Sequence, residues 1–253
     1  MSLARRHRET ILAAQAAGAT LPSATGPAPM PSEGPVATEY QTLLAALGVH
    51  LNELRNIQSV ERKIEAKRSM IGTYRAWVDG ALAGALAAGQ APQDEIVANM
   101  LVWAIDLADW PLALDIARHV LAHGLSLPER YKRQPAVAIA EQVAEAGLGQ
   151  DVTVDLKTLL RVETLTATHD MPDQVRAKLH KALALAFTAA ADAFDPTAES
   201  AVAGGKRALL DNALTHFRRA LGLDAGCGVK KLIEQTTRDL AKAAQAASGE
   251  PPA

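Results

Sequence analysis

Beyond residue 36, apolar side chains fall at Tyr40, Leu43, Leu44, Leu47, Leu51, Leu54, Ile57, Val60, Ile64 and Ile71. Steps of three and four residues describe one stripe along a long helix approaching a heptad repeat, which Gly72 breaks or bends. A second helix is predicted from about residue 74 to residue 88. It is rich in Ala and carries Gly80 and Gly84, small enough to let helices approach closely. Residues 37–90 therefore predict a long helical hairpin, and the pattern suits an oligomerisation element and an internal hairpin equally.

Punctuated helices fill the remainder, residues 91–253. Pro92, Asp94 and Glu95 suit a helix N-terminus, where the positive end of the dipole favours acids. Ile96, Val97, Met100, Leu101, Ala104 and Leu107 form the buried face of that helix. Asp109 with Pro111 opens the next helix, and Gly124 closes it as a C′ residue. Residues 124–135 read as a loop. Helices follow at about 136–146, at 153–168 behind Asp151, and from Asp170 and Pro172 with Val175, Leu179, Leu183 and Ala186 on one side. A Gly- and Ser-containing loop around 195–205 precedes a final pair at roughly 206–221 and 229–246. That pair has a tetratricopeptide-like packing face of Ala213, Phe217, Ala220 and Leu221, but no period extends it into a tandem array. No segment alternates with period two, so the fold class is all-α.

The N-terminal region is set apart by composition. Residues 2–17 predict a helix with Ser2 as N-cap. From residue 21 to residue 36 the chain is loaded with Pro, Gly and Ser, which block helix and bury nothing, and this predicts a flexible linker. The first helix, within residues 1–20, is therefore expected to be a tethered basic arm held off the main core.

Composition excludes several functions. Lys+Arg 26 against Asp+Glu 28 gives a net charge of −2, which rules out a globally basic nucleic-acid coat but not a local patch. Aromatics at 4% are too few for a base-stacking platform, and the single Cys227 excludes a disulfide framework and cysteine-based zinc modules. No apolar run is long enough to span a bilayer. Arg5, Arg6 and Arg8 before Ile11–Ala14 imitate a signal peptide, yet Gln15 and Gly18 cut the run and Glu9 lies beside it. The expected compartment is a reducing cytoplasm.

Catalytic chemistry is tempting at several points and convincing at none. Asp115, His119 and His123 share one helix face at i, i+4 and i+8 and could ligate a divalent metal, but a solvated polar face accounts for them better. Asp106 and Asp109 beside Trp103 and Trp110 could be the paired carboxylates of a two-metal nuclease; an N-cap and a surface residue explain them more simply. Gly204, Gly205 and Lys206 lack the first glycine and the Ser/Thr of a phosphate loop. Pro172 and Asp173 have no downstream strand with a Glu-x-Lys, and Cys227 has no nearby His to lower its pKa. No catalytic residue, metal site or cofactor is expected.

Basic clusters are more informative. Arg5, Arg6, His7 and Arg8 decorate the first helix. Between Glu53 and Arg75, the six bases Arg55, Arg62, Lys63, Lys67, Arg68 and Arg75 face the three acids Glu53, Glu61 and Glu65, a local excess of three positive charges. Arg130, Lys132 and Arg133 sit beside Tyr131. Such charges also decorate ordinary solvated helices, where Arg62 and Glu65 or Glu65 and Arg68 pair. Three clusters in one slightly acidic chain point to nucleic acid or an acidic partner, and the expected DNA contacts are Arg5, Arg6, Arg8, Arg55, Arg62, Lys63, Lys67 and Arg68.

Taken together, ARRHRETILAAQ, KRSMIGTYRAWVDGAL (67–82), the block 94–135 with its tryptophan pair and Leu-Pro-x-x-Tyr-Lys-Arg loop, LTATHDMPDQVRAKLHKALAL (165–185) and the closing ALTHFRRALGLDAGCGVKKLIEQ resemble the small terminase subunit of tailed phages, the GpM or endonuclease-subunit type. The resemblance implies a subunit that recognises a packaging (cohesive-end) site on double-stranded viral DNA and forms a homo-oligomer. It further implies recruitment of a large subunit with the ATPase and the cutting chemistry, in the cytoplasm of a bacterial host. The family's designation as an endonuclease subunit finds no matching nuclease centre among these residues. Members of this family can end in a Lys/Arg-rich tail, whereas this chain ends SGEPPA, which shifts weight to the first helix and the Arg55–Arg75 segment. The rival readings are a helical protein-interaction adaptor and a metal-dependent endonuclease.

Overall fold

The computed structural model describes residues 2–19, 26–149, 154–196 and 205–248. Among them are eleven α-helices, one short 3-10 helix and no strand, so the all-α expectation holds. The chain divides into two compact units, residues 1–135 and 136–253.

The first unit contains α1 (Leu3–Ala19), α2 (Gly34–Asn56), α3 (Val60–Met70), a 3-10 turn (Ile71–Thr73), α4 (Arg75–Ala88), α5 (Glu95–Asp106) and α6 (Trp110–Ala122). Helix α1 starts as predicted, with the Ser2 hydroxyl accepting from the Arg5 amide at 3.3 Å. It is not held off the core. Leu12, Ala13, Ala16 and Ala17 are buried, and α1 lies directly on α4. Gly80 and Gly84 make the approach possible: a Cβ on Gly80 would stand 2.2 Å from the Thr10 carbonyl oxygen, and one on Gly84 2.3 Å from that of Ala14. The Thr10 hydroxyl reaches the Ala76 carbonyl at 3.1 Å, and the Gln90 amide donates to the Ala17 carbonyl at 3.0 Å. The linker is partly pinned as well, since the Ala28 carbonyl accepts from the Gln93 amide at 2.7 Å in an isolated parallel bridge. Residues 21–25 of that linker, with Thr20 before it, lie outside the described residues.

The long helix expected up to Ile71 is two helices. Ile57 is extended (φ −84°, ψ 127°), and Ser59 caps α3 by accepting from the Arg62 amide. The serine hydroxyl competes for backbone amides and favours a new start over continuation. The apolar stripe also fails there: Tyr40, Leu43, Leu47 and Leu54 are buried, whereas Val60 is 72% exposed.

An aromatic core aligns α2, α4 and α5. Tyr40 packs on Trp77 at 5.6 Å between ring centres, and Tyr74 meets Trp103 edge-on at 6.0 Å. The Trp77 indole donates to Asp94 at 2.8 Å. The other Asp94 oxygen caps α5, accepting from the Ile96 and Val97 amides at 2.8 and 3.0 Å. Burial pushes the Asp94 carboxyl up to about 6, against the pull of these three donors. Pro92 precedes the cap rather than lying within the helix.

Between α5 and α6, Ala108 adopts φ +53°, a left-handed conformation disfavoured for residues with a Cβ. Ala108→Gly is expected to stabilise the first unit by about 1 kcal/mol, read as a higher urea midpoint at unchanged m-value. Asp109 caps α6 with Pro111 in its first turn, and Gly124 (φ +64°) follows its end, as predicted.

The second unit contains α7 (Pro135–Leu148, beginning at the last residue of the first unit), α8 (Leu156–Thr166), α9 (Asp173–Asp192), α10 (Gly205–Leu223) and α11 (Lys230–Ser248). Asp155, not Asp151, caps α8, and Asp151 is outside the described residues. Helix α10 packs on both α9 and α11, burying Leu210, Ala213, Phe217 and Ala220. These pairs establish helix-on-helix packing, not a tetratricopeptide register.

Candidate nucleic-acid interface

Each predicted basic contact lies in the first unit, but the eight side chains are not equivalent. Arg5 donates to Glu9 at 2.8 Å, and that carboxylate is fully buried with its second oxygen unpartnered, so Arg5 is committed to neutralising it. Arg8 lies 3.5 Å from Glu39 and links α1 to α2. Lys67 pairs with Asp106 and fastens α3 to α5. Arg6, Arg55, Arg62 and Arg68 are exposed and, with half-buried Lys63, carry no ion pair among the described residues. These five cations remain available to an anionic partner. Arg6 stands on α1, Arg55 in the last turn of α2, and Arg62, Lys63 and Arg68 on the 11-residue α3, which buries only Met70.

The third cluster is partly engaged. Arg130 donates to the Asn99 side chain at 2.6 Å and lies 4.9 Å over the Tyr131 ring.

The predicted catalytic decoys resolve into structural roles. Asp106 holds Lys67, and Asp109 caps α6 through the Leu112 amide at 3.3 Å. Asp115 pairs with Arg118 at 3.6 Å. His119 and His123 do come together, with ring centres 5.0 Å apart, in a groove closed on its α4 side by Leu82, Ala83 and Leu86. Burial and the neighbouring His123 lower His119 to about 4, and burial lowers His123 as well. Cys227 lies in the turn between α10 and α11, where its carbonyl accepts from Lys181 at 2.8 Å. Gly204 lies outside the described residues, and Gly205 begins α10.

Sequence reasoning missed a cluster in the second unit. Glu163, His180 and His216 each offer a ligand atom within 4.8 Å of the others. They come from three helices and are spread along 54 positions, so no local spacing could have signalled them.

Comparison with known proteins adds two matches. The profile of the phage small terminase subunit family matches residues 44–174. The terminase, endonuclease subunit of Escherichia phage P2 is 37% identical over 207 residues, covering 81% of this chain and 75% of that protein. No solved structure matches. Among the described residues no helix is long and apolar enough to cross a membrane.

Proposed function

This chain belongs to the phage small terminase subunit family, and from that membership we propose that it recognises the packaging (cohesive-end) site on double-stranded viral DNA in the host cytoplasm. In this reading it assembles as a homo-oligomer and delivers the DNA to a large subunit that carries the ATPase and the cutting chemistry. The observation that carries the reading is the set of uncommitted cations on α1, the end of α2 and α3. Each phosphate that they neutralise releases counterions, giving affinity without sequence information. Repetition of a small patch around an oligomer sums weak contacts by avidity, which reconciles tight binding with a net charge of −2.

The small-residue face of α4 is filled by α1 of the same chain. Self-association is therefore assigned to another surface, not to the Gly80 and Gly84 groove. Cutting is assigned to the large partner because Asp106 and Asp109, the carboxylates that best fitted a two-metal site, are engaged in an ion pair and a helix cap.

The test uses Arg6→Ala, Arg55→Ala, Arg62→Ala and Arg68→Ala together, leaving Arg5, Arg8 and Lys67 to their structural pairs. Affinity for a cohesive-end fragment should fall at least tenfold, and the slope of log K against log salt should lose about 0.9 per phosphate contact removed. Circular dichroism should remain that of the parent. An unchanged salt slope would move the DNA contact elsewhere. Absence of DNA retention by the parent at moderate salt would favour a protein-interaction adaptor, and Mg²⁺-dependent nicking by the purified chain would place cutting in this subunit.

A further inference from the structure

We propose that Glu163, His180 and His216 form a binding site for a divalent transition metal of the zinc class, clamping α8, α9 and α10 of the second unit. The inference is independent of the DNA reading, because these residues lie outside the unit that carries the basic patch.

The donor set has the right chemistry. Two imidazoles and one carboxylate suit zinc, cobalt or nickel, whereas magnesium prefers an all-oxygen shell. Three protein ligands leave one position of a tetrahedral ion for water. The geometry is nearly closed: the Nδ1 atoms of His180 and His216 face each other at 2.9 Å, and a ligand atom from each of the three residues falls within 4.8 Å of the others. Metal–nitrogen bonds of about 2.0–2.1 Å put tetrahedral ligands about 3.3 Å apart, so capture needs only a slight opening of the imidazole pair and an inward swing of Glu163.

The surroundings hold the rings in place. Phe187, two helical turns beyond His180, stacks on His216 with ring centres 5.5 Å apart and planes within 15°. Residue His180 is itself buried. Burial lowers the pKa of both rings, keeping them in the neutral form that ligates metal. Arg176 and Arg219 oppose a cation here. However, the Arg176 guanidinium is turned onto the Thr166 and His169 carbonyls at the end of α8, at 3.5 and 2.7 Å. Glu163 supplies the compensating negative charge.

Without metal, the two Nδ1 atoms share one proton and Glu163 is not drawn in. With metal, three helices already linked in pairs, α9 to α10 by the His180–His216 contact and α8 to α9 by Arg176 on the Thr166 carbonyl, gain one common tether. The second unit should therefore be stabilised selectively.

The experiment takes the full, untagged chain stripped with chelator and follows its melting with Zn²⁺ or Mg²⁺ alone. Zinc at about a hundredfold excess over its dissociation constant should raise the second unit's transition by about 5–10 °C, while Mg²⁺ leaves it unmoved. Substitution of Co²⁺ should give the visible absorption of a tetrahedral nitrogen–oxygen site. Glu163→Gln, at a half-buried position, should keep the fold and raise the Zn²⁺ dissociation constant about tenfold or more, since even losses around the ligands cost 10–100-fold. His216→Gln should abolish the cobalt band. Equal shifts with Zn²⁺ and Mg²⁺, no cobalt band in the parent, or Zn²⁺ binding that survives both variants would each overturn the proposal.

Discussion

Gly84→Ala should destabilise the first unit by about 2 kcal/mol or more, and Gly80→Ala by a similar amount, although alanine is the better helix former by about 1 kcal/mol. The added methyl would meet the Ala14 carbonyl oxygen at 2.3 Å, or that of Thr10 at 2.2 Å. Both obstacles are backbone, so no rotamer change relieves them and α1 must move away from α4. The double variant should release α1, exposing Leu12, Ala13, Ala16 and Ala17, and hydrogen exchange should show lost protection of the 3–19 amides. Gly48→Ala is the internal control. Gly48 lies within α2 with nothing within 4 Å of a built Cβ, so alanine there should stabilise by up to about 1 kcal/mol. Opposite signs for chemically identical changes isolate the helix contact from propensity. Equal, stabilising effects at all three glycines would mean that α1 is not docked in solution. The result also bears on DNA binding: a packed α1 presents Arg6 at a fixed place, and the double variant should weaken DNA retention.

The α1–α4 contact shows what was legible and what was not. Gly80 and Gly84 read correctly as a place of close helix approach, because small residues at helical spacing have that meaning wherever they occur. Their partner was hidden. The Pro/Gly stretch after α1 reports local stiffness, and a flexible connection says nothing about where the tethered helix docks. The alanines of α1 were the matching face. In α2 the stripe from Tyr40 to Leu54 was legible because a one-sided core enforces periodicity. Past Leu54 the three-and-four spacing of apolar residues runs on in the sequence, but the capping Ser59 ends the helix. Caps compete locally with helix continuation, and counting apolar positions does not register that competition. At the candidate interface, the cations were legible and their commitments were not. Lys67 finds Asp106 across 39 positions, and Arg5 serves a carboxylate whose burial only the docked α1 creates. The three residues of the proposed metal site converge for the same reason, through packing of α8, α9 and α10.

His119→Leu should change stability relative to the parent by about 3 kcal/mol more at pH 7 than at pH 4, in the direction that favours the variant in acid. The folded parent holds a neutral His119, lowered from 6.5 to about 4 by burial and by His123. As pH falls below 6.5 the unfolded chain takes up this proton first, so stability fully present above 6.5 is lost until the folded ring protonates near 4. Asp94 acts oppositely in the same unit. Its carboxyl, raised from 3.8 to about 6, gives stability that is complete below 3.8 and falls as pH rises to about 6. Between pH 4 and 6 the two slopes nearly cancel, so the parent should show a flatter profile than either group alone would give. Leucine at 119 removes one slope and uncovers the other: the variant should gain stability on acidification where the parent does not. Asp115, Arg118 and His123 share the groove with His119. The readout is specific, since Trp77, Trp103 and Trp110, the three tryptophans of the chain, all lie in the first unit. Urea unfolding followed by tryptophan fluorescence at pH 7 and pH 4 therefore measures that unit alone, and equal destabilisation at both pH values would show that His119 is not held neutral. A matching slope change of opposite sign in Asp94→Ala, superimposed on the lost cap of α5, would identify the carboxyl that His119 offsets.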